Sequence, residues 1–112
     1  MSDLAERACV PCRGGVPPMS SGEANRLLSD LGADWSIRDV EGVLRLVKSY
    51  RFKDFREALS FVDRVGALAD EQSHHPDVHL SWGRVELEIW THKIHGLTES
   101  DFIFAAKCER LP

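Results

Sequence analysis

Residues 70–92 read DEQSHHPDVHLSWGRVELEIWTH, and the fold turns on how this stretch is parsed. The residue before a proline is pushed out of the α region, so a helix running into His74-His75 has to end ahead of Pro76. Beyond the proline, Val78, Leu80 and Trp82 alternate with Asp77, His79 and Ser81. Gly83-Arg84 carries turn chemistry, and Val85, Leu87, Ile89 and Thr91 then alternate with Arg84, Glu86, Glu88, Trp90 and His92. Both arms have the period of two of a half-buried strand. The stretch is therefore a helix end, a bend and a β-hairpin. By parity His92 lies opposite the apolar row, on the more open face.

Working back from the bend, Phe55, Ala58, Leu59, Val62, Val65 and Ala69 recur at helical spacing, which predicts an amphipathic helix over about 53–72. Before it, Trp35, Ile37 and the run Val43 to Phe52 predict two strands, with Asp39-Val40-Glu41-Gly42 as the turn. Lys48 interrupts the apolar parity of the second strand, a position for an edge or for a side chain whose charge snorkels outward. Ser20-Ser21-Gly22-Glu23 reads as a capping box that opens a short helix over 21–31, stopped by Gly32. Residues 1–19, with Pro11, Gly14, Gly15, Pro17 and Pro18, read as an extended N-terminal arm. Downstream of the hairpin, Ile94-His95-Gly96-Leu97 is a loop, and Thr98-Glu99-Ser100-Asp101 caps a last helix.

The order after the arm is α-β-β-α-β-β-α. Short connections favour antiparallel hairpins, so residues 20–112 are expected to form one α+β two-layer domain, a four-stranded antiparallel sheet with three helices on one face.

The 112-residue chain carries a net charge of −4, with no broad basic field for nucleic acid. No apolar run approaches the roughly 20 residues needed to span a bilayer. Asp3 and Glu6 stand where a signal peptide wants basic and then apolar residues, so a cytoplasmic protein with no membrane or direct nucleic-acid partner is expected. Three cysteines, two of them in Cys9-Val10-Pro11-Cys12, do not form a disulfide framework. A zinc site there would need two more ligands.

The chemistry concentrates around the bend. Adjacent residues of a regular strand point to opposite faces, so His74 and His75 share a pocket only where the chain bends. One further helical turn would put Asp70 beside His74, where a carboxylate fixes the imidazole tautomer. The hairpin can return His92 to the same place. The plainer reading is a helix C-terminus that welcomes histidines through its dipole. A metal site is the rival chemistry, with His79, His95 and Asp77 also nearby, but no familiar ligand spacing is present. Asp101 reads as the fourth residue of the capping box, and Trp82 and Trp90 as packing groups.

Taken together, these residues resemble the pterin-4a-carbinolamine dehydratase family over about 20–111. The likeness rests on Asp70, His74-His75-Pro76, Trp82, His92 and Asp101. It is supported by Phe52-Lys53-Asp54-Phe55, by Thr91-His92 followed by Gly96-Leu97-Thr98, and in the arm by Cys12-Arg13-Gly14-Gly15 and Pro17-Pro18. The resemblance implies the same sheet-and-helix layout and a homo-oligomer, a dimer or a dimer of dimers. It also implies dehydration of 4a-hydroxytetrahydrobiopterin to quinonoid dihydropterin, in tetrahydropterin recycling, with no cofactor and no metal. It implies His75 and His92 as the main acid–base groups, His74 beside them, Asp70 orienting His74, and Pro76, Thr91 and Lys93 lining the pterin. The acid before the histidine pair is often glutamate in the family, and Asp70 is one carbon shorter. The alternative is the same scaffold acting through a protein partner, as a transcriptional coactivator or a Rubisco/carboxysome assembly factor.

Overall fold

The computed structural model describes residues 4–6, 17–32 and 34–111, so Cys9 and Cys12 lie outside the described residues. Seven elements follow in the expected order: α1 (Ser21–Leu31), β1 (Ser36–Val40), β2 (Val43–Arg51), α2 (Phe55–Gln72), β3 (Asp77–Ser81), β4 (Arg84–Ile89) and α3 (Glu99–Cys108).

The helices begin where capping chemistry permits. Ser20 Oγ accepts from the Glu23 amide at 3.2 Å, and Asp54 Oδ1 accepts from the Glu57 amide at 2.9 Å. Asp54 is thus the cap of α2, not part of it. Thr98 and Asp101 form a reciprocal capping box at α3. α2 ends one residue before the histidine pair, at Ser73, which is left-handed (φ 54, ψ 39).

The sheet is antiparallel in the order β1-β2-β4-β3. Glu41 (φ 54) and Gly42 (φ 86) close the β1–β2 hairpin, with Asp39 Oδ1 accepting from the Gly42 amide at 2.8 Å. Two positive φ values in a two-residue loop match the twist of the flanking strands. The second hairpin turns at Trp82-Gly83, one residue earlier than expected, because Arg84 already pairs with Ser81. Gly83 is required by close approach: a Cβ there would lie 2.8 Å from the Phe52 carbonyl oxygen.

Registered pairs show which face is covered. Ile37↔Leu46, Leu46↔Ile89, Leu87↔Val78 and Val85↔Leu80 share the face on which the helices pack. Leu46, Val85, Leu87 and Ile89 are completely buried there, together with Ala58, Val65, Phe102 and Phe104. α3 is buried along Ser100–Ala106, as expected of a helix apolar on every side. It packs against α1, α2, β2 and the 3-10 turn Leu4–Glu6, where Leu4 is only 2% exposed.

Three positions differ from the expected alternation. Lys48 lies on central strand β2, so it is no edge residue; it snorkels, with Nζ 2.8 Å from Glu109 Oε1. Val78 is more than one-third exposed because β3 is the sheet edge, and Trp82 stands out of the turn. Ordered pairing in β4 stops at Ile89. Thr91 makes an isolated bridge to Gly96, and His92 opens a 3-10 turn, His92–Ile94. Among the described residues, no helix is long and apolar enough to cross a membrane.

Candidate active site

The end of α2 and the segment after β4 enclose a cleft of about 380 Å³, lined by Ser73, His74, His75, Trp90, Thr91, His92 and Lys93. The three histidines singled out from the sequence therefore meet. Thr91 and Lys93 are lining residues as well. Pro76 is not among them; it carries the chain from the bend into β3.

The histidine–carboxylate pairing corrects the expectation. Asp70 reaches His75, with Oδ1 3.0 Å from Nε2, and does not reach His74. The reason is local. An i,i+4 pair needs the helix to continue to His74, but Ser73 has already turned left-handed. His74 swings inward to a different acid: its Nε2 lies 2.6 Å from Asp101 Oδ1.

Asp101 is fully buried and serves two purposes with two oxygens. Oδ2 accepts from the Thr98 amide at 2.8 Å, the helix cap, and from Thr91 Oγ1 at 2.8 Å. Oδ1 is left for the imidazole. A carboxylate that only accepts assigns the hydrogen to Nε2 of His74. The capping signal at Asp101 is real, but a carboxylate can cap with one oxygen and orient a histidine with the other.

The two pairs differ in weight. The His74 side chain is 10% exposed and that of Asp101 0%, against 62% and 85% for His75 and Asp70. An exposed pair contributes little stability, whereas a buried one holds its geometry firmly. His74 is thus rigidly placed, while His75 is available to solvent and ligand.

His92 is exposed and packs on Trp90, ring centroids 4.0 Å apart at 32°. Trp90, missed as a site residue, is itself held by its Nε1 donating to Asp77 Oδ2 at 3.3 Å and by the Arg45 guanidinium 4.2 Å from its centroid. Its place immediately before Thr91-His92 was the available signal.

On the helix-free face, ligand atoms of His79, Glu86 and Glu88 lie within 4.8 Å of one another. Both carboxylates there already bind arginine: Glu86 pairs with Arg38 at 3.4 Å, and Glu88 with Arg38 at 2.9 Å and with Arg45. These groups are on the sheet and outside the cleft lining.

With this geometry in hand, comparison with known proteins is specific. The family model described as pterin 4 alpha carbinolamine dehydratase matches residues 17–111. A Rubrobacter xylanophilus protein bearing the same family's name is 57% identical over 99% of this chain and 100% of its own. One from Rickettsia canadensis is 46% identical over 97% of each chain. The crystal structure of a transcriptional coactivator/pterin dehydratase from Brucella melitensis superposes with a TM-score of 0.72 at 30% identity, covering 82% of this chain and 95% of that one. A pterin dehydratase-like protein identified as a RuBisCO assembly factor in the alpha-carboxysome matches at a TM-score of 0.58 and 20% identity, over 70% of this chain and 89% of that one, a likeness of fold alone.

Proposed function

The chain belongs to the pterin 4 alpha carbinolamine dehydratase family, and on that premise we propose that it dehydrates 4a-hydroxytetrahydrobiopterin to quinonoid dihydropterin by histidine acid–base catalysis. The observation that carries the reading is the convergence of His74, His75 and His92 on one cleft of a size suited to a small molecule.

The reaction breaks the C4a–O bond and the N5–H bond and forms water. One group protonates the departing hydroxyl while another takes the N5 proton, so no proton or electron is gained or lost overall. Imidazoles, which titrate near neutrality, suit both roles. His75 and His92 are the proposed acid–base pair. With Nε2 of His75 against Asp70, Nδ1 is its atom for proton exchange. His74, held by Asp101, is proposed to fix the pterin by a hydrogen bond. Thr91 and Lys93 line the substrate, and Pro76 holds the bend that aims the histidines. Self-association into a dimer or a dimer of dimers belongs to the same proposal, and light scattering measures it.

The test is dehydration of 4a-hydroxytetrahydrobiopterin followed against its spontaneous rate. His75→Ala and His92→Ala are each expected to lower kcat by about 10²–10⁴-fold. A folded wild-type protein no faster than the spontaneous reaction would overturn the reading. Chelator is expected to leave the rate unchanged; a loss restored by zinc would replace acid–base catalysis with a metal mechanism. The protein-binding alternative draws its support from the Brucella relative, whose description pairs coactivator with dehydratase.

A further inference from the structure

Two buried side-chain nitrogens have no hydrogen-bond partner among the described residues, Arg45 Nε and Arg64 Nε. The first has a local explanation: the Arg45 guanidinium lies on the Trp90 ring, and its Nη1 pairs with Glu88. Among the described residues, Arg64 has neither a ring nor a carboxylate as partner. A guanidinium cannot shed its charge, so a buried, unpaired N–H on it is costly and calls for a partner.

Arg64 borders a second cavity of about 350 Å³, lined by Phe52, Arg56, Glu57, Ser60 and Arg64. Arg56, Ser60 and Arg64 recur at every fourth position of α2, so they form one stripe of the helix. Arg56 makes no ion pair and the Ser60 hydroxyl no hydrogen bond among the described residues. The one acid in the lining, Glu57, is already turned toward Lys53, 3.6 Å from Nζ. The cavity therefore offers two free guanidinia and a free hydroxyl beside Phe52.

Two more arginines stand at the same end of the sheet, on its helix-free face. Arg51 and Arg84 are registered partners on the last rung of β2 and β4, next to Phe52, whose amide donates to Gly83. Like charges directly opposite one another destabilise a ladder. The comparable pair, Arg38↔Arg45, is neutralised by Glu86 and Glu88. Neither Arg51 nor Arg84 has an ion pair among the described residues. Arg84 lies within electrostatic reach of Glu86, and by register the pair stands on the helix-free face, so it belongs to the sheet and not to the cavity.

We propose that the cavity between Phe52 and the Arg56–Ser60–Arg64 stripe is a binding site for a phosphate-class oxyanion, such as the phosphate of a small organic monoester. Two guanidinia and a hydroxyl supply the donors for a tetrahedral dianion. Phe52 supplies an apolar wall for the organic part. About 25 Å of helix rise separates Arg56 from Ser73 in the histidine cleft, so this site does not share that cleft. The proposal is independent of the dehydratase reading.

The test is titration of the full chain with inorganic phosphate, read by backbone and arginine Nε–H NMR signals at fixed ionic strength, with chloride as control. Saturable shifts at Arg56, Ser60 and Arg64 are expected, with the His75 and His92 signals unmoved. Arg64→Gln is expected to weaken the midpoint by about tenfold or more, with Arg56→Gln as a second variant should the first not fold. Linear shifts, equal shifts with chloride, or a wild-type midpoint in a folded Arg64→Gln or Arg56→Gln protein would each overturn the site. A second arm with phenyl phosphate tests the wall: binding no tighter than inorganic phosphate would remove Phe52 and the monoester class from the proposal.

Discussion

Two aspartates touch the two adjacent histidines, and their surroundings rank them. Asp101 is sealed, with both oxygens engaged, whereas Asp70 stands in water. Asp101→Asn keeps the shape but puts an amide where His74 needs an acceptor, and weakens the cap. It is expected to cost about 1–3 kcal/mol in urea unfolding and to lower the rate of the proposed dehydration by about tenfold or more through misplacement of His74. Asp70→Ala is expected to change stability by less than about 1 kcal/mol, with its effect confined to the rate. Equal stability losses in the two variants would contradict this ranking. Nearness in sequence favours Asp70 as the acid of the pair. Asp101 is far along the chain, and only folding brings it to His74.

At the scale of elements, the site depends on how α2 stops and how the second hairpin turns. Ser73 occupies a left-handed conformation that costs a non-glycine residue on the order of 1 kcal/mol. Ser73→Gly is expected to be neutral or stabilising by a few tenths of a kcal/mol in thermal unfolding, while Ser73→Val destabilises by about 1–3 kcal/mol. The valine change also redirects His74 and His75, so it is expected to lower the rate as well. At the other end of the hairpin, Gly83→Ala would press a methyl onto the Phe52 carbonyl, a backbone atom that cannot yield cheaply. A loss of about 1–3 kcal/mol is expected; unchanged stability would show that the two segments do not approach as closely as described.

For the molecule as a whole, long-range polar contacts set the response to pH. Glu109, just past α3, accepts from Trp35 Nε1 at 3.2 Å, Lys48 Nζ at 2.8 Å and Tyr50 Oη at 2.5 Å, tying the C-terminal end of α3 to the sheet. Burial first, and then the hydrogen bond and charge of Glu109, push the Tyr50 phenol above its ordinary value of 10.0. The folded state holds this proton more tightly than the unfolded chain. The contribution is complete below about pH 10 and fades as pH rises beyond it. Tyr50→Phe is expected to flatten that alkaline decline in thermal unfolding.

Glu86 works in the opposite direction. Burial pushes its carboxyl up, but the hydrogen bond and charge of Arg38, with Arg84 and His79, outweigh burial and hold it below its ordinary 4.5. Its contribution is complete above pH 4.5 and is lost as pH falls through the lower folded value. The stability gap between wild type and Glu86→Gln is therefore expected to close on acidification and to shrink in salt, since Arg38 is 46% exposed. A gap independent of pH would remove the ion pair as its source.

Much of this architecture was legible in the sequence because its determinants are local. The hydrophobic periods of α2 and β4, the caps at Ser20 and Thr98, and the Glu41-Gly42 turn each depend on residues within a few positions of one another. The motif that binds the chain to its family is likewise written in residue order. What the sequence left open depended on partners distant along the chain. The strand order β1-β2-β4-β3 follows from joining two hairpins through β2 and β4, which no local signal specifies. Lys48 finds Glu109 only because the end of α3 returns to the sheet. The choice of acid for each histidine was decided by a local event, the left-handed turn at Ser73, and by a tertiary one, the burial of Asp101 against His74. Periodicity reports which face a side chain is on; only the packed fold decides what it meets there.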